Sequence, residues 1–354
     1  MDIKSILIFC LPGIGDSLLA TPAWRALKAA YPQAHVTAIT MFPSAAAILR
    51  RCPFIDEVEN YDFMNTKVVP ALQYIWKLRR RRFDVTILTY PANRLEYNIV
   101  ARLIGSPIRI GHRYNHVDFV CGNWLNTHTI REDDGLTNIE ENLRLIELLT
   151  HRRCDDHRLA FHLDPEHTAY AEQWLTERNL NDRLLIGMHA GGSTAKNHIN
   201  KRYRPESFAE VGRLLTQQSD ATILLFGGSE EDALKTQIVE AIGPRAISVQ
   251  TPNMLTTCAV MARCRHFISN DSALLHIAGA LDIPTTAVFG PTNPTWVRIP
   301  TAQRTEVTLG LPCQPCFYYS PRHLACRTYG DFRCLRDLPP QKVAQTVMQQ
   351  LAPK

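Results

Sequence analysis

The chain has 354 residues, 45% hydrophobic and 21% charged, enough for about two domains and too ordinary in balance for a disordered chain, a collagen or a coiled coil. Its net charge of +5 lies wholly in residues 176–354, which hold 19 Lys/Arg against 14 Asp/Glu, while residues 1–175 hold 20 of each; this is too weak for a nucleic-acid footprint and suits a half that holds a small anion. No stretch reaches the roughly 18 uninterrupted apolar residues that cross a bilayer, and the first apolar run, Ile6 to Leu11, is cut by Pro12, Gly13 and Asp16, so a cytoplasmic chain without a secretory leader is expected.

Residues 4–10 read as a fully buried strand. A glycine-containing loop follows, then a helical stretch to about Ala30 that Pro22 is expected to kink. Residues 35–40 and 84–89 are the next short apolar runs, the second after a helix closing on Arg79 to Arg82. Short buried strands alternating with helices predict a parallel sheet covered on both faces. The same grammar restarts near residue 184, with strands expected at 184–189, 222–226, 266–269 and 285–289. The fold class expected is α/β, with two Rossmann-like domains, residues 1–175 and 176–354, facing a central cleft. The linker is expected within 160–183, where Asp164 and Pro165 open a helix ending near Asn179. A last amphipathic helix, Pro340 to about Leu351, can pack on either domain.

Four loops at carboxyl ends of predicted strands carry the residue types that chemistry needs. The first is Leu11-Pro12-Gly13-Ile14-Gly15-Asp16-Ser17. Its two glycines match part of a dinucleotide fingerprint, but Leu18 stands where the third belongs, which disfavours a nicotinamide enzyme. Asp16 at the loop-to-helix junction fits a helix cap or a general base. Gly13 and Gly15 let a bulky acceptor approach the backbone, and Ser17 completes that loop. The second loop, His189-Ala190-Gly191-Gly192-Ser193, is followed by Lys201, Arg202 and Arg204. These cations are either a solvated basic loop or phosphate partners, the lysine as a point charge and the arginines as forks.

The third loop, Phe226-Gly227-Gly228-Ser229-Glu230-Glu231-Asp232, places acids at a helix start. There they serve as dipole partners or as a bidentate grip on ribose hydroxyls. The fourth runs from Ser269-Asn270 through Asp271-Ser272-Ala273 to His276. Its helix start offers N–H groups beside small side chains, a ready pyrophosphate site, with His276 facing the same ligand or merely packing. Phe289-Gly290-Pro291-Thr292 follows as a rigid loop able to close over that ligand.

Together and in order, several segments resemble the heptosyltransferases of glycosyltransferase family 9 over nearly the whole chain. They are Gly-Ile-Gly-Asp-Ser-Leu-Leu-Ala-Thr-Pro at 13–22, Lys-Arg-Tyr-Arg-Pro-Glu-x-Phe at 201–208, Phe-Gly-Gly-Ser-Glu-Glu at 226–231, Ser-Asn-Asp-Ser-Ala-Leu-Leu-His-Ile-Ala-Gly-Ala at 269–280 and Phe-Gly-Pro-Thr at 289–292. The resemblance implies a GT-B fold with an acceptor-binding first domain and a nucleotide-sugar-binding second. It implies inverting transfer of heptose from ADP-heptose to a lipid-linked lipopolysaccharide core at the inner face of the bacterial inner membrane, with no metal needed for catalysis. By motif position, Asp16 corresponds to the catalytic base. Lys201 falls at the donor phosphates, Glu231 or Glu230 at the ribose, and Asp271, Ser272, Ala273 and His276 at the pyrophosphate and sugar; Gly191 and Ser193 of the second loop are expected to join the donor site. The family's usual Lys-x-Trp-Pro is replaced by a stretch with Tyr203 and Arg204, and its usual glycine by Ala273.

Other readings stay beside this one. They are a same-fold transferase with another nucleotide-sugar donor or a protein acceptor, a nucleotide-sugar epimerase, and a non-catalytic sugar-nucleotide binding module. An epimerase needs acid/base groups on both sides of a sugar carbon; a binding module has no reason to keep Asp16.

Of ten cysteines, four cluster as Cys313-x2-Cys316-x9-Cys326-x7-Cys334, among Arg322, Arg327, Arg333 and Arg336. The count and opening pair fit a structural Zn or Fe site, with reduced thiols and disulfides as the other readings. Similar cysteine-rich tails occur in members of the resembled family that modify autotransporter proteins and bind a metal. Trp76-Lys77-Leu78-Arg79-Arg80-Arg81-Arg82 closes a helix. Cations there complement the helix dipole or meet anionic lipid. The apolar stretch around Met254 and Leu255 can line an adenine site, and nothing marks an oligomeric state.

Overall fold

The computed structural model describes residues 3–11, 13–319 and 322–352. The chain divides into two compact units. The first comprises the chain up to His162 with Thr295–Thr301 and Tyr319; the second comprises Leu163–Pro294, Ala302–Tyr318 and the chain from Arg322 onward.

The first unit runs β1 (Ser5–Phe9), α1 (Ile14–Leu19), α2 (Thr21–Ala30), β2 (His35–Thr40), α3 (Pro43–Leu49), β3 (Glu57–Asn60), α4 (Val68–Arg80), β4 (Val85–Leu88), α5 (Leu95–Ile104), β5 (Ile108–Arg113), α6 (Asp118–Cys121), β6 (His128–Arg131) and α7 (Asn138–Thr150). Its six strands lie in the order β3-β2-β1-β4-β5-β6, every neighbouring pair parallel. β1 is Ser-Ile-Leu-Ile-Phe with its last four residues buried, as a central strand covered on both faces demands. Phe9 pairs with Ile39 on one side and Leu88 on the other, so the loops after β1 and β4 leave the sheet at one level.

The helical stretch expected to kink at Pro22 is two helices. α1 stops at Leu19, and Pro22 lies in the first turn of α2. Proline lacks an N–H and is tolerated only in a first turn, where none is needed, so the chain restarts there. Thr21 Oγ1 donates to the Leu18 carbonyl at 2.7 Å across the join. α7 opens on a capping box: Thr137 accepts from the Glu140 N–H, and the Glu140 side chain accepts from the Thr137 N–H.

The second unit runs α8 (Pro165–Thr176), β7 (Leu185–His189), α9 (Pro205–Gln218), β8 (Thr222–Leu225), α10 (Asp232–Ile242), β9 (Ala246–Ser248), α11 (Met254–Met261), β10 (His266–Asn270), α12 (Ala273–Ala280), β11 (Thr285–Val288), β12 (Arg304–Val307), α13 (Arg333–Arg336) and α14 (Pro340–Leu351). Its strand order is β12-β11-β10-β7-β8-β9, all parallel. Counted from its own first strand this is the order of the first sheet, the doubly wound Rossmann order. α14 closes on α9, burying Val343, Ala344 and Val347.

The change of unit falls after His162, inside the linker range expected at 160–183 and ahead of the boundary drawn at residue 175, since α8 packs on α11, with Trp174 Nε1 donating to the Gln250 carbonyl at 3.3 Å. Two short segments of the later chain also return to the first unit, a feature with no local sequence signal. Among the described residues no helix is long and apolar enough to cross a membrane.

Candidate active site

In a doubly wound sheet, ligands sit outside the carboxyl ends of the two strands where the order reverses. In the second unit these are β7 and β10. His189 ends β7 and is buried. Its Nδ1 lies 2.9 Å from Ser272 Oγ and its Nε2 3.0 Å from Glu231 Oε2. The other Glu231 oxygen accepts the Gly192 N–H at 2.8 Å, and Arg202 reaches both that oxygen, at 3.3 Å, and the Gly192 carbonyl. One carboxylate thus ties the loop after β8 to the loop after β7. Burial pushes the Glu231 carboxyl up, but the His189 hydrogen bond and charge, the Gly192 N–H and Arg202 outweigh it and hold it at about 2. A Cβ on Gly191 would stand 1.7 Å from Glu231 Oε1, so position 191 admits only glycine while that carboxylate is clamped.

Asn270 ends β10 and fixes three segments with one side chain. It donates to the carbonyls of Ala190 at 2.8 Å and Gly191 at 3.2 Å, and accepts the Tyr203 N–H at 2.8 Å. Tyr203 is fully buried, its hydroxyl donating to the Leu338 carbonyl at 2.7 Å, and so anchors the cationic loop. Lys201 pairs with the Asp271 carboxylate and lies 4.6 Å above the Phe317 ring. Burial raises the Asp271 carboxyl, but Lys201, His276 and the Thr292 hydroxyl bring it below its ordinary value. Burial pushes His276 down to about 4, partly opposed by Asp271, and its Nδ1 finds no hydrogen-bond partner among the described residues.

Ser272 precedes α12, yet its hydroxyl bonds His189 and, at 3.0 Å, Ser269, so no side chain caps the helix start. A small pocket lined by Gly191, Gly192, Ser193, Lys201, Arg202 and Asp271 opens at this point. Two cations, each already facing a carboxylate, and an uncapped helix start thus stand together, the elements from which anion sites are built. The remaining expected residues divide. Ala273 is the first residue of α12. Ser193 is exposed and accepts the nearby Ala195 N–H at 3.3 Å. Glu230 is exposed where Glu231 is buried.

In the first unit the order reverses at β1 and β4, and Asp16 is the third residue of the helix after β1. Its carboxylate is half-buried and accepts from Asn138 Nδ2 at 3.5 Å. Asn138 also donates to the Tyr319 hydroxyl at 3.3 Å, and its backbone N–H to the Trp296 carbonyl at 2.6 Å. Asn142, one turn later, donates to the Asn138 carbonyl at 2.7 Å and accepts the Tyr90 N–H at 2.9 Å. The Trp296 and Tyr319 rings stack at 5.5 Å. Asp16 therefore belongs to a braced frame of α7 and the two returning segments. Ser17 turns inward, its hydroxyl donating to the carbonyls of Gly13 at 2.7 Å and Cys10 at 3.5 Å. Gly15 is buried and Gly13 extended, so these residues shape the loop.

Sequence reasoning missed His189, Asn270, Phe317 and Asn138. The first two lie inside the segments already singled out, next to the glycines and serine they hold. The helix-start signature Thr137-x-x-Glu140 was available for Asn138, but nothing local says it meets Asp16.

The four clustered cysteines are neighbours, and all ten cysteines are free thiols. Burial pushes Cys334 up to about 11, and Cys316, Cys326 and Cys313 add to it. Cys326 is lowered: burial opposes ionisation, but the backbone N–H groups of Tyr329, Phe332, Gly330 and Asp331 support its thiolate. The sulfurs are not drawn into one ligand shell. Among the described residues, the one group of three or more ligand atoms within 4.8 Å of each other is Asp164, Glu166 and His167.

Comparison with known proteins agrees with these motifs. Residues 72–324 match the sequence profile of Glycosyltransferase family 9 (heptosyltransferase). Lipooligosaccharide heptosyltransferase 2 of Campylobacter jejuni is 31% identical over 173 residues, 47% of this chain and 51% of that enzyme. The chain thus spans about half the length of that relative. Lipopolysaccharide heptosyltransferase 2 of Salmonella typhimurium is 23% identical over 82% of this chain and 83% of that one. The solved structure of E. coli ADP-heptose lps heptosyltransferase II superposes with a TM-score of 0.72 at 20% identity, over 99% of this chain and 100% of that chain. That likeness shows the fold, an α/β chain of the GT-B class.

Proposed function

Because the chain belongs to glycosyltransferase family 9, the heptosyltransferases, we propose that it is an inverting glycosyltransferase moving heptose from ADP-heptose to a lipopolysaccharide core or related acceptor. An acceptor hydroxyl attacks the anomeric carbon in line. The new C–O bond forms as the bond from that carbon to the diphosphate breaks, ADP departs with the electron pair, and the hydroxyl proton passes to Asp16. A carboxylate base contributes about 10²–10⁴ in rate. The growing diphosphate charge needs fixed positive partners. Lys201, Arg202 and the start of α12 are assigned to it, with Gly191 giving the clamped Glu231 carboxylate the space it needs beneath the loop. Lys201 already faces Asp271, so a phosphate shares this lysine with a buried carboxylate. His276, held neutral at pH 7 by its burial, serves as a hydrogen-bonding group and not as a charge. Glu231 is spent on His189, Gly192 and Arg202. Its role is to hold the phosphate loop in shape, which leaves exposed Glu230 the freer carboxylate for ribose.

The observation that carries this reading is the gathering of Lys201, Arg202 and an uncapped helix start at the β7/β10 reversal point. Calorimetric titration of ADP-heptose, ADP-hexoses and UDP-sugars tests it. ADP-heptose is expected to bind tightest, and Lys201→Ala to weaken it by about tenfold or more. Equal or tighter binding of UDP-sugars overturns the donor assignment.

No metal is assigned to the chemical step. Cys313, Cys316, Cys326 and Cys334 are assigned to a structural Zn or Fe. The count and spacing of the thiols support this reading; against it, burial disfavours the thiolates of Cys316 and Cys334, and the sulfurs would have to draw together to share one ion. The acceptor class implied by the family is carried on lipid, so the place of action proposed is the cytoplasmic face of the bacterial inner membrane.

A further inference from the structure

Large apolar side chains that stand exposed are unevenly distributed. Among the described residues all but Ile199 and Tyr329 belong to the first unit. On α4, Val68, Leu72 and Trp76 recur every fourth residue, with Val68 73% and Trp76 60% exposed. A surface helix normally turns one apolar stripe inward and leaves a polar face outward. α4 buries Ile75 and Leu78 and carries a second apolar stripe on its outer side. α5 packs beside α4, Arg79 donating to the Leu103 carbonyl at 2.8 Å, and repeats the pattern with Leu95, Ile99 and Leu103. α6 and the turn after it pack on α5 and add Phe119, 89% exposed, and Trp124. Single exposed apolar residues need no explanation; a band across three adjoining helices does.

The rim of this band is cationic. Lys67, Lys77, Arg80 and Arg102 are exposed, and the Arg80 guanidinium lies 5.0 Å over the Trp76 ring. Glu96 is the one acid on α4 and α5, and Asp118 on α6 is tied to Arg113 at 3.0 Å. This charge pattern selects the occupant. A second copy of the same face would bring cations against cations. An anionic bilayer would take tryptophan and phenylalanine at headgroup depth and lysine and arginine at its phosphates.

We infer that α4, α5 and α6 form a shallow insertion surface for an anionic phospholipid bilayer. The inference rests on the transferase reading only for why the enzyme stands at a membrane. Vesicle binding needs neither donor nor acceptor and ADP binding needs no vesicle, so either reading can fail alone.

The full-length protein is sedimented with vesicles of phosphatidylethanolamine and phosphatidylglycerol in about a three-to-one ratio, and with phosphatidylcholine vesicles. The wild type is expected to bind the anionic vesicles with a blue shift in tryptophan emission, and to bind phosphatidylcholine at least about tenfold more weakly. The double substitution Leu72→Glu/Ile99→Glu should lower anionic-vesicle binding at least about tenfold while ADP affinity stays put. Lys77→Glu/Arg80→Glu reads the same surface should the first variant not fold. Absence of vesicle binding by the wild type overturns the inference, as does unchanged binding by a folded variant. So does a lipid-free oligomer of the wild type that Leu72→Glu/Ile99→Glu dissociates.

Discussion

A carboxylate that is to take a proton from a hydroxyl must be ionised, reachable and held still. Asp16 is half-buried and braced by Asn138, which the returning Trp296 and Tyr319 hold in turn. Asp16→Asn keeps the shape and removes the basicity. Turnover, read as ADP release, should fall by about 10²–10⁴, while ADP-heptose affinity by calorimetry should stay within about twofold. Unchanged turnover would leave Asp16 as a helix-start residue only. Two histidines give the residue scale a pH signature. His266 and His276 are buried, and burial holds both near about 4 against an ordinary 6.5. As pH falls through 6.5 the unfolded chain takes up these protons and the folded chain does not. The stability tied to each is therefore full above 6.5 and is lost between 6.5 and 4, up to about 3 kcal/mol apiece. Glu231, at about 2, stays ionised throughout that window. Thermal unfolding should shift to lower temperature from about pH 7.5 to about pH 5, and His266→Gln should flatten the dependence. A midpoint that does not move over this range contradicts it. The sequence left Glu230 and Glu231 interchangeable; what separates them is His189 and the clamped glycine loop, a contact made only across the sheet.

Strands were legible where they lie at a sheet's centre. β1, β2, β4, β7, β8, β10 and β11 are apolar runs because helices cover both their faces. β3 (Glu-Val-Glu-Asn), β6 (His-Thr-Ile-Arg), β9 (Ala-Ile-Ser) and β12 (Arg-Thr-Glu-Val) escape notice because each is short and ends a sheet, half-open to solvent. β5 is interior, yet Arg109 and His112 interrupt its apolar pattern. The cysteine segment belongs to this scale as well. Protein purified without chelator should carry about one equivalent of Zn or Fe. Less than about 0.2 equivalents would leave the cysteines as ordinary thiols.

At the scale of the molecule, the repeated strand grammar was readable because each unit builds the same doubly wound sheet, and the motifs fall on the loops that such a sheet exposes. What no local pattern announces is the path of the chain after residue 294. Trp296 donates from its indole to the Asp134 carbonyl at 2.9 Å, and the Tyr319 carbonyl accepts from Asn93 at 2.7 Å, so both complete the first unit from more than a hundred residues away in sequence. A fragment of residues 1–162 should therefore unfold at lower temperature and less cooperatively than the intact chain, as calorimetry would record; a transition as sharp and as high would show that these segments are dispensable. The same threading bears on protein engineering. A chimaera that joins halves of two relatives near residue 162 inherits the braces of its amino-terminal half from the wrong parent. Transplanting the whole first unit within the family then calls for a three-piece graft, not a single crossover.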